Sequence, residues 1–160
     1  MNLDVTASTF GSLETAQLHW DALDAAAKIA APSLLDAVLV ERTIEEISKF
    51  HRSSEVGGGG GVFASAVCGV VWPPAIVVGA LAGSVGGRVM TEIRRGLSRD
   101  STTRLGTLFE MGSFIVICVL ESCPAVEAAI NARAIDAVTV PLDCSAPELL
   151  ASLAADDADD

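Results

Sequence analysis

The chain contains no tyrosine, five phenylalanines and two tryptophans, so Ala, Val, Leu and Ile carry its apolar content. Basic residues are scarce as well: 10 Lys and Arg face 21 Asp and Glu, a formal net charge of −11. That balance excludes a general nucleic-acid binder, which needs a basic excess to displace counterions from phosphates. Cysteine is confined to Cys68, Cys118, Cys123 and Cys144, with no C-x-x-C pair and no histidine close by in sequence. A zinc site or a disulfide framework needs closer, repeated spacing, so the four read as buried, reduced thiols behaving as small hydrophobes. Such thiols suit a reducing compartment. No G-x-S-x-G, H-E-x-x-H or kinase-type set occurs, and adjacent acids such as Glu45 and Glu46 point apart. His19 reads as a partly exposed helix-face residue and His51 as a surface residue. The sequence offers no catalytic residue, no cofactor-binding residue and no metal ligand, and reads as that of a non-enzyme. Its first ten residues have neither a basic start nor an apolar run and read as no signal peptide.

What is present is apolar: 51% of the 160 residues are hydrophobic and the mean hydropathy is +0.49. Disorder is excluded on that ground, and the length suits one domain with a modest core. Strand patterning runs over Leu3–Thr9, Asp36–Arg42, Ser113–Leu120 and Asp136–Leu142, rich in Val, Ile and Thr. The third is apolar throughout and reads as a central strand. Ser12 can cap a helix with apolar positions Leu13, Ala16, Leu23, Ala26 and Ala27, ending before Pro32. A second helix starts near Cys123-Pro124 and a last one covers Ala146–Ala155, after which the aspartates of the tail read as frayed. The segment Thr43–Arg52 admits a helix start or a hairpin arm, with the strand reading preferred over Ile47–His51. The order β-α-β, insertion, β-α-β predicts an α+β fold: a ferredoxin-like βαβ-βαβ sandwich whose strands 2 and 3 are separated by an apolar, glycine-rich helical hairpin. The expected divisions are a first half over 1–54, the insertion and its basic flank over 55–105, a second half with the last helix over 106–155, and an acidic tail over 156–160.

The insertion has 32 consecutive uncharged positions between Glu55 and Arg88. One straight helix of that length would measure about 48 Å, against ~30 Å for a hydrocarbon core, and Trp72-Pro73-Pro74 breaks it. Two arms are expected, Gly57–Val71 and Ala75–Val89, each about 22 Å if helical. Gly57, Gly61, Ser65 and Gly69 fall on one line of the first arm, and Gly79, Gly83 and Gly87 on one line of the second. Residues four apart share a face, so these lines read as grooves for helix packing within an oligomer. The bulkier Phe63, Val67, Val71, Trp72, Val77, Leu81 and Val85 then face lipid or a partner. The run Gly57–Gly61 can equally be a hinge, and no Lys-Ser or Lys-Thr follows it to make a phosphate loop. Arg52, Arg88, Arg94 and Arg95 supply a basic flank: from Lys49 to Arg104 there are seven bases and three acids, in an otherwise acidic chain. Under the positive-inside tendency both ends of the hairpin stay cytoplasmic. A soluble assembly in which neighbouring subunits bury the hairpin fits the same residues.

Taken in order, these features resemble a bacterial family of predicted membrane proteins, domain-of-unknown-function family 1269. The stretches that carry the resemblance are LDVTAST with ETAQLHWDALDAAAKIA, then LLDAVLVER, then GGGGGVFASAVCGVVWPPAIVVGALAGSVGGRV, then TTRLGTLFEMGSFIVICVLE. It spans about Leu3 to Leu153, and its more specific part is the hairpin followed by L-x-x-x-L/F-x-x-G-S. The pentaglycine, the double proline and the acidic tail depart from the family pattern. The resemblance implies a membrane-associated or self-assembling protein and brings no catalytic residues. The expected function is thus a membrane-associated scaffold or anchor that forms homo-oligomers, with membrane lipid or a larger membrane-adjacent complex as partner and its main domain on the cytoplasmic side. The alternatives are a cytoplasmic, soluble oligomeric ligand-binding or regulatory module, or a subunit of a transport assembly whose path would be lined by Ser65 and Ser84.

Overall fold

The computed structural model describes residues 2–29, 34–42, 47–53, 62–71, 87–122, 127–128 and 134–158. A mixed α+β architecture is built on one antiparallel sheet. Its strands are β1 (Asn2–Phe10), β2 (Leu34–Arg42), β3 (Ile47–Ser53), β4 (Phe114–Glu121) and β5 (Asp136–Ser145), in the order β3-β2-β4-β1-β5. The helices are α1 (Leu13–Ile29), α2 (Val62–Val71), α3 (Gly87–Gly96), α4 (Arg99–Phe109) and α5 (Ala146–Ala158).

The four expected strands form within a few residues of their expected ends, and β4 sits in the middle, between β2 and β1. β1 runs in unbroken register with β4, from Leu3↔Glu121 to Phe10↔Phe114. The strand reading of Ile47–His51 holds, since β3 pairs antiparallel with β2 at the sheet edge; residues 43–46 lie outside the described residues. Ser12 caps α1, its Oγ accepting from Thr15 N at 3.2 Å. Of the second expected helix, residues 127–128 are described and are helical.

The two faces of the sheet carry separate cores. Leu34, Ala37, Leu39, Val116, Cys118 and Leu120 meet Ala16, Trp20 and Leu23 of α1 on one face. Val38, Val40, Ile115, Ile117, Val119 and Val140 meet α2, α3, α4 and Leu149 of α5 on the other. Coverage on both faces explains why β4 is apolar at successive positions instead of alternating. His19 is 1% exposed, which corrects its reading as a partly exposed residue. It lies three and four residues from Ala16 and Leu23, on the helix stripe that meets the sheet, with its ring centroid 4.7 Å from that of Phe10.

The larger correction concerns the insertion. In α2, Phe63, Ala64, Ser65, Ala66, Val67, Cys68, Gly69 and Val71 are all buried, packed against β2, β4, α3 and α4 of the same chain. Phe63, Val67 and Val71 therefore face neither lipid nor a partner, and Ser65 and Gly69 are packed within the subunit, not between subunits. A helix apolar all round is a core helix when its own chain surrounds it, and that burial accounts for its lack of charge. Gly87 is the first residue of α3, exposed, with nothing among the described residues within 4 Å of where a Cβ would sit, so it forms no packing groove with them. Gly57, Gly61, Trp72, Val77, Gly79, Leu81, Gly83 and Val85 lie outside the described residues, as does the corner at Pro73-Pro74.

Candidate functional site

α3 and α4 carry the most distinctive surface chemistry. In α3 (GRVMTEIRRG) Val89, Ile93 and Gly96 are buried, whereas Arg88, Thr91, Arg94 and Arg95 are exposed. The apolar residues are spaced by four and three, so they share one side of the helix and the arginines fall on the other. Gly96 ends the helix at a close approach to β5, where an added Cβ would lie 2.8 Å from Leu142 Cδ1 and 3.3 Å from Asp143 N. Ser98 then caps α4, its Oγ accepting from Ser101 N at 3.0 Å. α4 buries Ser101, Leu105, Leu108 and Phe109 and leaves Arg99 and Arg104 exposed beside Asp100.

Five exposed arginines thus stand on two consecutive helices of a chain whose net charge is −11. Arg94 and Arg95 occupy the last turn of α3, where a cation is favoured by the helix dipole. Glu92 pairs with Arg95 at 2.8 Å, a surface contact of small energetic value. Arg88, Arg94 and Arg95 of the expected basic flank are brought together by α3; Arg52 lies on β3, a separate edge strand. Arg99 and Arg104, part of the same basic run in the sequence, extend the face along α4.

Three side chains that patterning does not single out hold these helices in place. The Asp36 carboxylate is fully buried and accepts from Ala64 N at 2.9 Å, inside the first turn of α2. A register irregularity between Leu34 and Asp36 puts Leu35 and Asp36 on the α2 side of β2 while Leu34 joins the α1 core. Asp156 performs the same service for α3: its two oxygens accept from Arg88 N at 3.1 Å and Val89 N at 3.0 Å. Both carboxylates sit at the positive end of a helix dipole. The tail accordingly does not fray at Asp156, and α5 continues to Ala158. Arg42, at the end of β2, donates through Nε to Gly112 O at 3.2 Å and through a terminal nitrogen to Glu110 O at 3.3 Å. Its backbone N donates to Ser113 O at 2.7 Å. The carbonyls that follow α4 are thereby tied to the sheet, which is what the Gly112-Ser113 pair does in this fold.

The three described thiols are held protonated by their surroundings. Cys68, Cys118 and Cys144 are buried; burial pushes Cys68 and Cys118 far above the ordinary thiol range, and the Asp36 charge adds to it. Cys144 is pushed up to about 12, by burial first and then by the charges of Glu148, Glu92 and Asp143. Glu127 is also raised, by burial and by the neighbouring carboxylate Asp4. Among the described residues there is no cluster of His, Cys, Asp and Glu fit to hold a metal ion, and no helix is long and apolar enough to cross a membrane. No family model, curated protein or solved structure matches the chain.

Proposed function

We propose that the protein is a non-enzymatic anchor or scaffold that docks on an anionic membrane surface from the cytoplasmic side and assembles with copies of itself. The contact is made by the arginine face of α3 and α4, next in sequence to the charge-free residues 72–86. The observation that carries this reading is the exposure of Arg88, Arg94, Arg95, Arg99 and Arg104 on consecutive helices of an acidic chain. A basic side chain near an anionic bilayer contributes about 1 kcal/mol, so a face of this size supplies peripheral binding without a span. The burial of α2 within its own subunit moves the reading away from a hairpin inserted along both arms. The strands β2-β4-β1-β5, all antiparallel, support a ferredoxin-like core to which β3 and α2–α4 are added, in line with the family of predicted membrane proteins that the motifs resemble.

The soluble alternative, an oligomeric ligand-binding or regulatory module, draws support from the same closed core around α2. A transport path loses one of its two lining hydroxyls, because Ser65 faces the interior, while Ser84 lies outside the described residues. Membrane fractionation separates the readings. A docked protein sediments with membranes at low salt and is released by alkaline carbonate, an inserted hairpin resists carbonate, and a soluble module stays in the supernatant throughout. Oligomer mass with and without detergent tests self-assembly.

A further inference from the structure

The last turn of α5 is acidic at the end of a helix where the dipole disfavours negative charge. Asp156 and Asp157 sit there with no basic residue in the turn. The compensation comes from another element: Asp156 reaches the first turn of α3, accepting from Arg88 N and Val89 N, while Asp157 beside it is exposed. α5 packs along α3, so this acidic turn lies against the beginning of the arginine face. The last turn of α5 is therefore conditional on α3, and it lowers the positive potential of the surface assigned above to membrane docking.

Resting on that assignment, we propose that the C-terminal end of α5 is an autoinhibitory latch: Asp156 fastens it to α3, and an anionic lipid surface competes with its carboxylates for the basic face. On docking, the last turn of α5 loosens and the first turn of α3 gives up its Asp156 acceptors, while the sheet is unchanged. Flotation with phosphatidylserine-containing vesicles, compared with pure phosphatidylcholine, tests this on the whole chain. Asp156→Asn keeps a carbonyl acceptor for α3 and removes the charge; Asp157→Asn removes a charge from an exposed position. Each should strengthen binding to the anionic vesicles about fivefold, the value of roughly one basic side chain at such a surface. Thermal melting serves as the control for folding of both variants. Amide exchange over residues 155–158 should also speed up when vesicles are added. If Arg94→Glu abolishes binding but both asparagine variants bind as the parent does, the latch is wrong and the docking face stands. If the parent and all variants ignore anionic vesicles, both fall.

Discussion

Gly112 leaves no room for a side chain, since a Cβ there would overlap Thr9 Oγ1 and lie 3.2 Å from the Phe10 carbonyl oxygen. Gly112→Ala should cost about 2–3 kcal/mol, read as a shift in the urea midpoint, because backbone and a buried threonine would have to move. Asp36→Ala strips the buried Ala64 N–H of its charged acceptor and should cost about 2 kcal/mol. The thiols give a signed pH dependence. Their raised pKa means that the folded state holds these protons more tightly than the unfolded chain does. The stabilising contribution is complete below about pH 8.5, the ordinary thiol value. It is lost as pH rises further, through about 12 for Cys144. Urea melts at pH 7 and pH 10 should show a fall that Cys144→Ala reduces. Glu127 follows the same rule at lower pH, so Glu127→Gln should raise the melting temperature at pH 7 and leave it unchanged well below pH 4. Of these residues only the cysteines are legible in the sequence. Asp36 and Asp156 look like any acid until a helix start is brought to them, and His19 looks like a face residue until the sheet covers that face.

The strands and α1 are legible as elements because alternation, β-branched content and a serine cap are local signals, and each forms close to where those signals place it. α2 is legible as a helix and misleading as to its surroundings. Absence of charge marks burial without naming the solvent, and lipid, a second subunit and the chain's own sheet all satisfy it. The helices α3 and α4 settle the matter for this arm by closing over it, and they arise from a stretch whose arginines look like a flank and not like helix faces. Phe63→Ala separates the environments directly. In a core helix it should cost about 3–5 kcal/mol of folding stability, measured by chemical unfolding, whereas at a lipid-facing position it would leave the stability in water nearly unaltered. Gly87→Ala, at an open helix start, should be neutral, which a packing groove at that position would not allow.

For the molecule as a whole, an acidic chain carries five of its ten bases on two helices that cover one side of the sheet, next in sequence to an uncharged stretch. The antiparallel sheet is readable from the strand and helix spacing, while the closure of the second face by the insertion is not, because it depends on contacts between segments far apart in sequence. The proposed function is least legible, since it rests on a charged surface and not on a motif. Vesicle flotation of the parent and of the triple variant Arg88→Glu, Arg94→Glu, Arg95→Glu, over a series of salt concentrations, tests the docking face most directly. The expected result is binding to phosphatidylserine vesicles that weakens steeply with salt and disappears in the triple variant, whose thermal melt stays close to that of the parent. Binding that survives both salt and charge reversal, or no binding by the parent at low salt, would contradict it.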